Sequence, residues 1–267
     1  EPFAPLGQDI ISNIRGLASG NARVTGNIQN PDINGVLTLD GAGIGIPYLN
    51  VDYDFAPLSK VRLFDQTFYF EQIEFEDTSY QTKSVLDGGI SHTAFNDWNL
   101  NLTVDTQDDR FLILNTEFDE DELYYGTGFV NGKGEIYGPT TGLNIDFEGA
   151  SARGTELKIP LSDVTSVSDY TFINFIEKES AKSLKAQRVL EDYEGLELNF
   201  DLEVTPDAEV EIIVDRKSGS TLKGTGEGLL LIEINTNGKF IMNGEFVVVS
   251  GDFRFRRAGL IDKTFKV

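Results

Sequence analysis

The sequence contains no cysteine and only one histidine. The missing cysteine excludes disulfides, thiolate nucleophiles and Cys-based zinc or iron–sulfur sites, and a single histidine excludes His-rich metal sites. Positive charge is also scarce, since 22 Lys+Arg face 44 Asp+Glu and the formal net charge is -22. Such a chain repels nucleic-acid phosphates and anionic lipid headgroups, so no nucleic-acid partner is expected.

Long apolar runs are absent too. The longest, such as Leu229–Ile232 and Phe246–Val249, have about four residues, whereas a membrane helix needs about 20. The N-terminal residues Glu1–Pro5 lack the basic segment and apolar stretch of a signal peptide. The sequence therefore indicates a piece of a longer protein, with any targeting signal or anchor upstream.

Alternation of apolar and polar residues dominates what is present. It is clearest in Leu196–Val204, Val210–Val214 and Leu230–Ile234, and each run has a polar or acidic second face. The 27 glycines and turn signals such as Asn237-Gly238 separate the runs at about 8 to 12 residues. This pattern predicts about 14 to 18 consecutive antiparallel strands joined by hairpins.

One stretch departs from alternation. Residues 169–192 are richer in Lys, Ala and Glu, and Phe172, Phe175 and Ile176 have helical spacing. We expect a short helix or a mobile insertion there. It divides the chain into a first β segment at 1–168 and a C-terminal β segment at 193–267.

Catalytic and metal-binding patterns are weak. His92 has no Gly-x-Ser-x-Gly turn to accompany it, and the acidic run Asp119–Glu122 is typical of a solvated loop. The Asp105-x-Gln107-x-Asp109 pattern resembles the start of a calcium loop, but it lacks the glycine at the sixth position and the closing glutamate. The sequence thus predicts no catalytic residue, no cofactor and no metal, and the protein is not expected to be an enzyme.

Two glycine alternations need a structural explanation. Gly41-x-Gly43-x-Gly45 and Gly224-x-Gly226-x-Gly228 do not lead into helices, so a phosphate-binding loop is not supported. Glycines where strands bend, or where backbones approach closely, explain them better.

The apolar face of so many strands must be covered by something. Helices are nearly absent from the prediction, so the remaining covers are a second sheet or a ligand. A closed sandwich or barrel and a long sheet curled into a groove both fit the composition.

The C-terminal region contains a series of strand and turn motifs, and shorter motifs precede it at Tyr124–Gly128, Gly138-Pro139 and Gly154–Leu161. The C-terminal motifs are Leu196–Leu202, Thr205–Ala208, Gly224–Leu229, Asn235–Phe240, Gly244–Phe246 and Gly251–Phe255. Together these motifs resemble the TamB family, the translocation and assembly module subunit of Gram-negative envelopes, in its Bacteroidota-type form.

The resemblance implies an all-β fold in which an elongated antiparallel sheet curls into an apolar groove, the β-taco. It implies a periplasmic protein that bridges the inner and outer membranes, with its inner-membrane anchor upstream. It also implies an Omp85-type, TamA-like barrel as partner, and a role in outer-membrane protein assembly, phospholipid movement, or both. It further implies client outer-membrane polypeptides as partners.

In the C-terminal strands alternate residues are apolar and share one face, and this alternation predicts which residues would contact phospholipid acyl chains. The alternative is a surface or extracellular binding module, an adhesin or carbohydrate-binding protein, in which the same residues form a dry sandwich core. The predicted lining residues are Phe200, Leu202, Val210, Ile212, Leu230, Ile232, Phe240, Met242, Phe246 and Val248.

Overall fold

The computed structural model describes residues 11–27, 30–119, 124–160, 173–174, 195–215, 218–257 and 261–266. Almost all of them lie in strands of one sheet, so the predicted all-β fold is confirmed. A single 3-10 turn, Pro47–Leu49, follows the second strand. Among the described residues, no helix has the length and apolar character needed to cross a membrane.

The described ranges contain seventeen strands, a number within the predicted range of 14 to 18. They are β1 (Ser12–Asn27), β2 (Asn30–Ile46), β3 (Val51–Phe55), β4 (Lys60–Phe64), β5 (Thr67–Asp77), β6 (Lys83–Thr93), β7 (Asn96–Thr106), β8 (Phe111–Thr116), β9 (Tyr125–Pro139), β10 (Gly142–Ser151), β11 (Glu156–Pro160), β12 (Ile173–Asn174), β13 (Gly195–Val204), β14 (Glu209–Asp215), β15 (Ser220–Asn235), β16 (Phe240–Arg257) and β17 (Ile261–Lys266).

Most neighbouring strands pair antiparallel in the order of the chain. From β1 to β2, from β4 through β5 and β6 to β7, and from β15 through β16 to β17, each strand pairs with its successor. Strand β9 pairs with both β7 and β10. The sheet therefore grows by adding hairpins one after another, as the turn signals predict.

Four pairs of short strands each lie along one long strand. Strands β3 and β4 both pair with β2, and strands β13 and β14 both pair with β15. Strand β9 pairs with two such sets, β7 and β8 as well as β10 and β11. Each pair is interrupted by four residues, at 56–59, 107–110, 152–155 and 205–208. The four interruptions begin 51, 45 and 53 residues apart (107−56, 152−107 and 205−152), and this spacing defines a repeat of about 50 residues.

The chain departs from antiparallel order where β10 and β11 meet β13 and β14. Strands β10 and β11 pair in parallel with β13 and β14, from Gly142 opposite Gly195 to Pro160 opposite Ile213, at a constant offset of 53 residues. A parallel return requires a connection of a dozen or more residues, and the segment from 161 to 194 supplies 34 (194−160). Sequence reasoning missed this joint because alternation gives no strand direction.

The predicted helical insertion at 169–192 lies almost wholly outside the described residues. Its two described residues, Ile173 and Asn174, form β12 and pair in parallel with Met242 and Asn243 of β16. The predicted division at 168 and 193 stays a prediction.

The core is a cluster of buried apolar side chains on one face of the sheet. Leu112, Leu198 and Phe129 are its most completely enclosed members, at 0%, 1% and 1% exposure. The cluster extends from Val51 in β3 to Ile234 in β15. In contrast, β1, β16 and β17 contain no buried residue among those described.

Candidate functional site

The candidate site is the apolar face of the sheet, and cross-strand register shows that this face is continuous. Side chains directly opposite one another in paired strands lie on the same face, so a row can be followed from strand to strand. One such row crosses ten strands and contains only apolar residues and one glycine. Its members are Leu37, Val61, Phe70, Gly88, Leu102, Ile136, Ile145, Leu198, Ile234 and Phe240.

The ten predicted lining residues extend this face into the C-terminal strands. Phe200 of β13 lies opposite Ile232 of β15, which in turn lies opposite Met242 of β16. Phe200 also lies beside Phe147, with ring centroids 6.0 Å apart. All ten residues are half-buried, and none is fully enclosed or fully exposed.

Glycines lie opposite the large side chains at the C-terminal end of this face. Phe246 lies opposite Gly228, and Val248 lies opposite Gly226. A Cβ atom added at Gly226 would meet the carbonyl oxygen of Val247 at 2.3 Å and the ring of Phe246 at 2.6 Å. The glycines therefore allow the two backbones to approach closely and leave space for the Phe246 ring, consistent with the interpretation from the sequence.

Further towards the N-terminus, the same face is closed by its own side chains. The Tyr53 hydroxyl donates to the carbonyl oxygen of Leu112 at 3.0 Å, and the Tyr53 ring contacts Phe75 and Phe111 at centroid distances of 5.5 and 5.3 Å. The hydroxyl of Thr82 accepts from the Leu112 amide at 2.9 Å. Burial, with Asp77 nearby, raises the pKa of Tyr53 above its usual range, so the hydroxyl stays a neutral donor.

Asp77 completes this buried network. Its carboxylate accepts the amides of Ser79, Tyr80 and Thr82 at 3.0, 2.5 and 2.8 Å, and also the Thr82 hydroxyl. Asp77 thus holds Thr82 in place, and the Thr82 and Tyr53 hydroxyls pair with the backbone amide and carbonyl of Leu112 at the edge of β8.

Two contacts join the N-terminal and C-terminal parts across the apolar face. The Tyr48 hydroxyl donates to the carbonyl oxygen of Asn235 at 3.4 Å, and the rings of Tyr124 and Phe240 stack at 5.5 Å. Beyond them, along β14 to β16, the apolar side chains are only half-covered. The face thus has a closed part and an open part, a division that alternation alone cannot reveal.

The other face is polar and acidic. Lys239 lies 3.2 Å from Glu197 and 2.9 Å from Glu233; burial opposes the charge, but the hydrogen bonds to both carboxylates raise the pKa of Lys239. A cavity of about 780 Å³ on this face is lined mostly by polar residues, among them Lys133, Asp146 and Asp201. None of the ten predicted residues lines that cavity, and its charge does not suit acyl chains.

The described part of the chain shows how the candidate catalytic and metal-binding residues are placed. His92 is buried against Phe68, Phe95 and Trp98, and its Nδ1 accepts the Phe95 amide at 3.0 Å. His92 is thus a packed member of an aromatic cluster. Within the described ranges, no group of three His, Cys, Asp or Glu side chains has the arrangement of a metal site.

A comparison with known protein families shows to which family the chain belongs. The model of the TamB C-terminal domain matches residues 71–267, which is 197 of 267 residues (267−70). The chain belongs to the TamB family. The match covers the strands from β5 onwards and includes every predicted lining residue. No curated protein and no solved structure is similar enough to match the chain.

Membership of the TamB family defines the general role. The family consists of envelope proteins that act as non-enzymatic scaffold or transport modules in outer-membrane protein assembly and lipid transport. Its members work with an Omp85-type partner.

Proposed function

We propose that this chain carries phospholipid acyl chains on its apolar face while it supports outer-membrane protein assembly with an Omp85-type, TamA-like barrel. The observation that carries the proposal is the apolar row across ten strands together with ten half-buried residues at its C-terminal end. A face of this kind is unfavourable in water unless something covers it. Acyl chains match its chemistry and its lack of polar partners.

The open part of the face, along β14 to β16, together with the half-buried Phe200 and Leu202 of β13, is the proposed contact region. There the curled sheet would form the groove, with Phe200, Ile232 and Met242 in adjacent strands along its floor. The opposite face presents residues such as Asp201 and Glu233, so the protein stays soluble while one face holds lipid. In this proposal the protein lies in the periplasm between the two membranes.

The decisive experiment is to introduce a charge on the apolar face. Ile232→Glu should leave the fold intact in an open groove, because the new carboxylate reaches water, and should abolish most of the bound phospholipid. In a dry core the same change would bury an unpaired carboxylate at a cost of several kcal/mol, enough to unfold the domain. Thermal unfolding and mass spectrometry of extracted lipid are measured on the same preparation.

Leu231→Glu is the matched control, because Leu231 is the next residue along β15 and lies on the opposite face, between Asp201 and Asn243. It should retain both fold and lipid. A folded Ile232→Glu protein with the normal lipid content would contradict the proposal, as would a wild-type protein that carries no phospholipid. Collapse of the Ile232→Glu protein would favour a closed core.

The assembly role has its own readout. Cells that depend on the full-length protein with Ile232→Glu should show reduced outer-membrane protein levels if client polypeptides use the same face. If lipid carriage is lost while outer-membrane proteins assemble normally, the clients use another surface.

A further inference from the structure

The polar face of β13, β15 and β16 contains a patch in which apolar residues are surrounded by carboxylates. Leu229 lies between Glu203 of β13 and Glu245 of β16, and Val247 lies opposite Glu227. These five residues define the acid-rimmed patch. Leu229 is 57% exposed and Val247 is 62% exposed, among the highest values of any large apolar side chain described.

The patch is unusual within this molecule. On the same face, the register row through β7, β9 and β10 contains Thr103, Glu135 and Asp146, all polar. On β15 and β16, by contrast, exposed Leu229 and Val247 replace them, and Ile241 adds another apolar side chain at 42% exposure. Val36 of β2, also on this face, is exposed as a single apolar residue between Asn21 and Arg62. Single exposed apolar residues are normal on a protein surface, whereas neighbouring ones mark interaction sites.

The carboxylates of the patch are available to a partner. Glu203, Glu227 and Glu245 are all exposed, and no ion pair or hydrogen bond joins their side chains to another described side chain. Elsewhere on this face, Glu197 and Glu233 share Lys239, and Glu209 pairs with Lys223 at 2.6 Å. The patch therefore combines apolar area with negative charge that no side chain in the described ranges neutralises.

We propose that the acid-rimmed patch docks a protein surface in which apolar side chains are surrounded by lysine or arginine. Charge complementarity selects this occupant. A second copy of the chain would bring like charges together, and an anionic membrane surface would be repelled by the same three glutamates. The patch lies opposite the apolar face, so the inference does not depend on lipid carriage.

The test uses a defined probe, a soluble peptide of alternating leucine and lysine, and measures its affinity for the wild-type protein by calorimetry. The Leu229→Thr, Val247→Thr double variant should bind about 10-fold more weakly, because about 1.4 kcal/mol of apolar burial is lost. The Glu203→Gln, Glu227→Gln, Glu245→Gln triple variant should also bind more weakly, with a smaller dependence on salt. Threonine and glutamine at exposed strand positions should preserve the melting temperature.

Matched controls separate the patch from general attraction to an acidic protein. Val36→Thr changes an exposed valine of β2, and Glu74→Gln changes an exposed glutamate of β5. Both controls should bind the peptide like the wild type, and a peptide of alternating leucine and glutamate should not bind. Equal affinities of the patch variants, the controls and the wild type would overturn the proposal, as would the absence of any binding to the wild type.

Discussion

At the scale of single residues, His92 shows how burial changes the chemistry of a side chain. It is 5% exposed, its ring stacks on Phe95 at 4.5 Å, and its Nδ1 accepts the Phe95 amide. Burial lowers the pKa of His92, and the charge of Asp65 only partly opposes this effect. Protonation would also remove the Nδ1 acceptor, so the folded state holds the neutral form.

The pH dependence of stability follows from this lowered pKa. Because the unfolded chain binds the proton more readily, the stabilisation by neutral His92 is complete above about pH 6.5 and is lost as the pH falls through the lower folded pKa. The loss should reach about 1 kcal/mol, the worth of one hydrogen bond. Urea unfolding of the wild type and His92→Asn at pH 8 and pH 5.5 measures it.

The comparison removes the background of the many carboxylates, which titrate in both proteins. Asparagine keeps an acceptor near the position of Nδ1 but does not titrate. The stability advantage of the wild type should therefore shrink at pH 5.5. An advantage that is the same at both pH values would show that His92 contributes nothing to the pH dependence.

At the scale of elements, glycine positions control how closely β15 and β16 can pack. Gly226→Ala should destabilise the protein by about 1–3 kcal/mol, because the new Cβ meets the Val247 carbonyl and the Phe246 ring. Chemical denaturation with a constant m-value gives the difference.

Gly134 of β9 provides the matched control. A Cβ there would have only ordinary contacts, 3.8 Å from Phe147 and 3.9 Å from Val104. Gly134→Ala should be neutral or stabilising by up to about 1 kcal/mol, since alanine reduces the entropy of the unfolded chain. Equal losses for the two variants would mean that close approach does not explain Gly226.

At the scale of the whole molecule, burial is unevenly distributed along the sheet. The most enclosed large apolar side chains lie in β8, β9 and β13, and the described residues of β1, β16 and β17 are nowhere fully buried. A sheet whose strands contact mainly their neighbours can open from its ends without losing its centre. Stability should therefore fall from the centre towards both ends.

Hydrogen exchange tests this gradient. Amides of β9 and β13 should exchange only through global unfolding, whereas those of β1 and β17 should exchange through local openings that cost several kcal/mol less. When the strands reclose faster than the amides exchange, mass spectrometry of peptides from each strand gives the free energy of global unfolding and that of local opening. One common value for all the strands would contradict the gradient and indicate a single cooperative unit.

Much of this fold follows from local patterns of residues, which the sequence alone determines. Alternation places Phe200, Leu202, Leu230 and Ile232 on one face, because a strand side chain changes face at every residue. Turn signals predict the number of hairpins, and the C-terminal motifs predict the TamB family. The missed 53-residue repeat also leaves a trace, with five identities at Gly142/Gly195, Leu143/Leu196, Phe147/Phe200, Glu156/Glu209 and Ile159/Ile212.

Only the tertiary structure decided which strands are neighbours and which part of the apolar face is closed. The parallel pairing of β10 with β13 depends on contacts between residues 53 apart, and nothing in the period of either strand specifies it. Likewise Ile234 and Ile232 have the same parity on β15, yet Ile234 is buried and Ile232 is half-exposed. Parity is a property of one strand, whereas pairing and burial depend on what packs against it from distant parts of the chain.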